Sequence, residues 1–232
     1  MFSRKLTRAI AVGVTAIAIG GAAYGIVSAT ASNSSGTGRT TTMAQVGSNA
    51  RSGPASGGTV GTVGSVSKSS FTVSTSAGQK VTVDEASSTT YQNGTISISA
   101  SAITNGESVL VLGTVNTTNG TTIAATQVIV QPTGSGGSAA SSAAGVVPFQ
   151  RGAPTTSKQV GQIPANYSQG SGTIVSGTTA NKATEAALAA YPGGIVDRVV
   201  KLSNGEYEVH NIGVNWPHHI FVNKNFKVIG AD

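Results

Sequence analysis

The sequence predicts a multi-module chain. A small all-β barrel or sandwich is followed by an α+β unit of one helix on an antiparallel sheet, with an N-terminal membrane helix or signal peptide and disordered linkers. Three observations carry this. Residues 57–132 hold six short β-rich runs with no helical pattern. Residues 171–232 open with one helical run and continue as strands and tight turns. The stretches between are rich in small and turn-forming residues. Across the chain only 9% of residues are charged, while Gly takes 31 of 232 positions, so the whole cannot be one close-packed globule.

In chain order, residues 1–31 come first. Ala9–Ala29 carries no charge and follows Arg4, Lys5 and Arg8. As a helix it would reach about 31 Å, the thickness of a hydrocarbon core, with the basic side retained inside. The same residues fit a signal peptide: Ala9–Ile19 is the apolar stretch, Gly20-Gly21 breaks it, and Ala29-Thr30-Ala31 is a small-x-small cleavage site. Both readings export the rest. The expected location is a single-pass membrane anchor through residues 9–29 with the C-terminus outside, or secretion after cleavage near Ala31. Gly21 and Gly25 have the spacing of close helix approach, which a run so rich in Gly and Ala produces by chance.

Residues 32–56 and 133–170 read as linkers. The first is Ser, Gly, Thr, Ala and Asn; the second turns from Gly/Ser/Ala to a stretch with Pro148, Pro154 and Pro164. The N-terminal segment and the two linkers together hold seven cations and no acid, and residues 57–132 reduce this by one to the formal charge of +6. Residues 57–132 are slightly acidic and residues 171–232 are balanced, so no folded element offers the basic face that nucleic acid requires. The absence of Cys excludes disulfides, thiolate metal sites, Cys nucleophiles and a thiol-linked lipid. No cofactor is expected.

Within 57–132, Phe71–Thr75 and Val81–Val83 alternate around a Ser-Ala-Gly turn and predict a hairpin. Asn93-Gly94 and Asn119-Gly120 mark further turns, flanking Ile96–Ile98, Ser108–Leu112 and Ile123–Val130. Gly58–Val66 repeats Gly every third residue, a period of neither helix nor strand, and predicts a Gly-bent first strand at a barrel corner. Gly-Thr-Val-Gly-Ser-Val, Phe-Thr-Val and Gly-Gln-Lys-Val-Thr-Val, with the later Val-Leu-Val-Leu-Gly-Thr-Val and Gly-Thr-Thr-Ile-Ala-Ala-Thr-Gln-Val-Ile-Val, resemble the domain of unknown function 5666 family. That resemblance implies a small all-β module of exported bacterial proteins and brings no catalytic residues.

In 171–232, Thr179–Ala190 predicts a short helix stopped by Tyr191-Pro192-Gly193-Gly194. Ile195–Leu202 and Glu206–Val214 flank a Ser203-Asn204-Gly205 turn, and His219–Asn223 and Phe226–Ile229 supply the last strands. The Ala-rich helix before Tyr-Pro-Gly-Gly, then Gly-Glu-Tyr-Glu-Val, then His-Ile-Phe-Val-Asn-Lys-Asn-Phe-Lys-Val-Ile-Gly, resembles the PepSY family. The resemblance implies an extracytoplasmic module that binds or restrains peptidases. The chain departs from it at Asn223-Lys224-Asn225 and at Asn211–His219.

Two groups in or beside the second departure bear chemistry. All three histidines, His210, His218 and His219, fall within ten positions, and imidazoles are common metal ligands. Adjacent strand residues point to opposite faces, however, which opposes a shared ion at His218 and His219. His210 and His218 are the weak metal candidates, with Glu206 or Glu208 as a possible carboxylate; zinc-binding spacing is absent. Trp216-Pro217 at a predicted turn either anchors a partner or closes the small core. Trp216, His218, His219 and Tyr207 are the candidate partner-binding residues. There is no Gly-x-Ser-x-Gly elbow, phosphate-binding loop or His-Glu-x-x-His, so no catalytic residues are assigned. The sequence thus points to a non-enzymatic envelope protein that binds a protein or peptide, with a histidine-based metal sensor or a structural spacer as alternatives.

Overall fold

The computed structural model describes residues 55–132, 145–152 and 156–232. Residues 1–31, expected to direct export, most of the first linker, and residues 133–144 and 153–155 lie outside the described residues. Among the described residues no helix is long and apolar enough to cross a membrane. All of them belong to one compact unit.

The first five long strands close on themselves. They are β1 (Ala55–Val66), β2 (Ser70–Ser74), β3 (Lys80–Asn93), β5 (Ser108–Val115) and β6 (Thr122–Val130), with a short β4 (Ile96–Ser97) paired to β3. The order β2-β3-β6-β5-β1, with β1 returning to β2, makes a five-stranded barrel. The β3–β6 pair is parallel. The barrel interior holds Val63, Phe71, Val73, Val81, Val83, Val109, Val111, Ile123 and Val128. These are alternate, mostly β-branched residues whose burial fixes strand register.

β1 explains the three-residue glycine period. It pairs with β5 along its length, with β2 at its far end, and with a strand of the C-terminal region at its start. A Cβ at Gly57 would overlap the Val196 carbonyl, and one at Gly58 would overlap the Val111 carbonyl. Only glycine lets β1 run against backbone on both sides.

The C-terminal region continues the same hydrogen-bonded network. Its elements are β9 (Thr173–Val175), helix α1 (Gly177–Ala190), β10 (Ile195–Lys201), β11 (Tyr207–Ile212), β12 (Val214–Trp216), which stands outside that network in a separate two-stranded pairing, β13 (His219–Val222) and β14 (Val228–Ala231). Strands β1-β10-β11-β13-β14 are neighbours in that order, so the sheet grows out of the barrel wall. Thr59, fully buried, donates its hydroxyl to the Gly194 carbonyl at 2.9 Å across this seam. The Gln79 amide bonds the Gly213 carbonyl beside it.

α1 starts after Ser176, whose extended backbone ends the preceding strand, and stops at Tyr191. Its buried face is Ala180, Ala183, Thr184, Ala187 and Leu188, and the three alanines let the helix lie close on the sheet. That face meets Val196, Val199, Val209, Ile220 and Val222, together with Val60, Leu110 and Leu112 of the barrel. One core therefore serves both regions, and supplies the placement that the sequence leaves open.

Residues 145–170 differ from the free spacer that their composition predicts. Val147–Pro148 (β7) pairs with β12, and Val160–Gly161 (β8) pairs with the outer edge of β14. Further on, Ile163 and Tyr167 pack with Ile174 against Val200, Leu202 and Phe221 on the sheet face opposite α1. The sparse apolar side chains here suffice because each meets a sheet that is already built. β1 likewise begins at Ala55, inside the predicted first linker.

Candidate functional site

The face of the C-terminal sheet opposite α1 carries the region's chemistry. Register places His210 opposite His219 and Arg198 opposite His210, so these side chains share a face with Glu208 and Phe221. A register shift between Val196 and Arg198 lets Asp197 reach the same cluster. Asp197 Oδ1 accepts from His210 Nδ1–H at 2.6 Å, and Asp197 Oδ2 lies 3.3 Å from the Arg198 guanidinium. Glu208, only 1% exposed, accepts from His219 Nδ1–H at 2.7 Å. Tyr167, from the segment expected to be a linker, sets its hydroxyl 3.0 Å from His219 Nδ1 and its ring edge-on against Phe221.

Burial pushes the Tyr167 hydroxyl well above the ordinary phenol range, helped by the charges of Glu208 and Asp232 and the hydrogen bond to Glu208; Arg198 opposes. Tyr167 therefore stays a protonated donor beside a buried carboxylate. That carboxylate needs donors in place of lost water, and Tyr167 and His219 are the two polar groups beside it.

The third histidine joins the cluster because β13 begins at His219 and leaves His218 outside the ladder, where strand alternation does not apply. The His218 ring lies 6.5 Å from that of His210, nearly parallel, and His219 lies 5.2 Å from His210 on another side. His218 Nδ1–H donates to the Asn211 carbonyl at 3.1 Å. Burial, the largest influence, lowers the His218 pKa below its ordinary value; the Asn211 hydrogen bond opposes, while His210 and His219 add to the lowering. The three rings thus gather more closely than strand alternation predicts, each with Nδ1 held by an oxygen. Yet among the described residues no group of three or more His, Cys, Asp or Glu is placed to hold a metal ion. His210 and His218 are ring neighbours.

The aromatic candidates sit elsewhere. Trp216 is 1% exposed, so the contact role expected for it gives way to a core role. Its indole meets Tyr191 edge-to-face at 5.6 Å and donates Nε1–H to the Lys158 carbonyl at 2.6 Å. The Lys158 ammonium stands 4.8 Å from the indole centroid. Tyr207, also buried, stacks on Phe226 at 5.5 Å on the α1 side of the sheet. Neither ring is offered to solvent, because a small sheet-and-helix core draws in its large side chains. His218 and His219 remain partly exposed at the corner where their amides bond the Asp232 carbonyl.

Sequence reasoning did not find Asp197, Tyr167 or Lys158, and named Glu208 only as a possible metal carboxylate. Their partners lie 13 to 58 residues away in the chain, and no local pattern signals such pairs. The one available signal was Tyr167 itself, a lone aromatic in a stretch otherwise free of rings between Phe149 and Tyr191. Against known proteins, the chain gives no significant match to a family model, to a curated protein or to a solved structure.

Proposed function

We propose that this chain is an exported, non-enzymatic protein of the bacterial envelope that binds a protein or peptide partner through its C-terminal sheet, with restraint of a peptidase as one form of that binding. The observation that carries the reading is the seating of Val160–Gly161 on β14: the outer edge of the sheet takes up extended polypeptide through backbone pairing, while Val147–Pro148 pairs with β12 beside it. The PepSY-like order of helix, Tyr-Pro-Gly-Gly and strands supports it, as does the apolar stretch behind Arg4, Lys5 and Arg8. A retained anchor would hold the binding edge near the membrane and raise its effective concentration there.

The test is a cross-linked pull-down from envelope extract with the full chain, wild type against His218→Ala/His219→Ala, after circular dichroism shows the variant folded. A protein captured by the wild type and lost with the folded variant supports the reading and names the partner. Equal capture by both moves the contact away from this corner. Capture by neither favours a structural spacer.

A further inference from the structure

The described residues 145–152 and 156–162 form a strap over Trp216, held by two short strand pairings and a few hydrogen bonds, among them the one from the Trp216 indole to the Lys158 carbonyl. Its two pairings, Val147–Pro148 with β12 and Val160–Gly161 with β14, are two residues long each. Phe149 is 55% exposed and Val160 39% exposed, so these large strap side chains contribute little to the core. What lies beneath is the reverse: Trp216 is 1% exposed, between Tyr191 and Lys158, with Val146 and Val147 packed against the same cluster. The Asn215 amide donates to the Pro148 carbonyl at 3.1 Å, and the Gln162 N–H donates to the Ile229 carbonyl at 2.8 Å. From Ile163 onward the chain belongs to the apolar cluster around Phe221, so the strap ends where integral structure begins.

Resting on the proposed binding through the C-terminal sheet, we infer that the strap is a displaceable occupant of a peptide site. The occupant in trans is an extended peptide with branched aliphatic residues and a lysine. It adds a strand to β14, places its aliphatic side chains where Val146 and Val147 lie, and lays its ammonium over Trp216. Backbone pairing supplies affinity and the Trp216 contact supplies selection. The tethered strap competes from within the same molecule at an effective concentration on the order of millimolar, which sets the threshold for any partner.

Two glycines separate strap from receiver. A Cβ at Gly161, where φ is +71°, would overlap the Ile229 carbonyl of β14, so Gly161→Val loosens the strap and leaves the receiving edge unchanged. A Cβ at Gly230 would overlap Gln162, so Gly230→Ala blocks the edge for any occupant. Trp216 is the only tryptophan in the chain and reports coverage directly.

The probe is a synthetic peptide of residues 145–162, which has no tryptophan, titrated into the full chain. Wild type gives no change in Trp216 emission at micromolar peptide. Gly161→Val shifts the emission to the red, and the peptide reverses it saturably, at least tenfold more tightly than in wild type. Gly161→Val/Gly230→Ala no longer responds. Unchanged emission in Gly161→Val, absence of a saturable reversal, or an unfolded Gly161→Val chain overturns the proposal, the last by showing the strap to be integral. Hydrogen exchange of the wild type decides independently: the Gln162 amide must exchange well before those of β11 and β13, and exchange together with them overturns the strap. A partner captured equally by wild type and folded Gly161→Val would leave the binding reading standing and remove the strap from it.

Discussion

Replacing Trp216 by alanine separates a core role from a contact role. The indole is 1% exposed, meets the Tyr191 ring at 90° and 5.6 Å, and gives its N–H to the Lys158 carbonyl. Truncating a buried aromatic to alanine costs about 3–5 kcal/mol, of which the edge-to-face contact supplies roughly 0.5–1.5. A domain of this size loses about 2–4 °C of melting temperature per kcal/mol, so Trp216→Ala should melt about 6–20 °C lower. Trp216→Phe keeps most of the apolar body and strands only the Lys158 carbonyl, at about 1–3 kcal/mol. Urea and thermal unfolding followed by far-UV circular dichroism measure both without relying on the fluorophore being removed. A Trp216→Ala chain that melts within about 2 °C of wild type would refute the core assignment. It would make the indole a surface group of the resting chain. The order Ala worse than Phe, both well below wild type, also means that loss of a partner in Trp216→Ala says nothing about contact, because the surface itself is damaged.

Three further outcomes follow. Gly57→Ala drives a Cβ into the Val196 carbonyl and should cost about 1–3 kcal/mol in urea unfolding, whereas Gly64→Ala meets only the Thr72 hydroxyl and should cost less. Glu208→Ala leaves His219 and Tyr167 without their acceptor at a buried position and should destabilise by about 1–3 kcal/mol. A double-mutant cycle of Glu208→Gln with Tyr167→Phe should show non-additivity, and strict additivity would mean that the two groups do not interact. His218 has its pKa lowered in the folded state, chiefly by burial, so the unfolded chain binds the proton more readily. The stability it contributes is complete above about pH 6.5 and is lost as pH falls toward the lowered folded value. Urea midpoints between pH 7.5 and 5 should decline, and decline less in His218→Asn.

The sequence was most readable where structure is local. The Phe71–Thr75 and Val81–Val83 runs lie within β2 and β3 and their connecting turn, Gly94 sits at φ +58° in the turn it marks, and the Ala-rich helix ends at Tyr191. Each of these depends on residues within one turn or hairpin. The parallel β3–β6 pairing and the β1–β10 seam left no local trace, because register between distant strands is settled by burial after both exist. β7 and β8 were invisible for another reason: two residues cannot show a period of two, and their surroundings are polar. At the site, composition exposed the histidines but not their partners. Asp197 reaches His210 only because the ladder shifts register beside it. The sequence left Trp216 open between core and contact, and its partners Lys158 and Tyr191 are what place it inside.

β1 is shared between the barrel and the sheet that grows from it, and this orders events on the ribosome. The strand emerges first, and the barrel partners β2, β3, β5 and β6 all follow it directly. β10 arrives much later, since the seam bond between Thr59 and Gly194 spans 135 residues. A closed barrel can therefore wait as a finished template with one stretch of β1 still unpaired, on which the last strands align. Closing so long a loop in an unstructured chain would be slow, whereas a folded barrel brings its ends together beforehand and shortens the effective loop. Gly57 and Gly58 leave that waiting stretch open to the close backbone approach β10 makes when it arrives, while Val60, Leu110 and Leu112 stay uncovered until α1 packs on them.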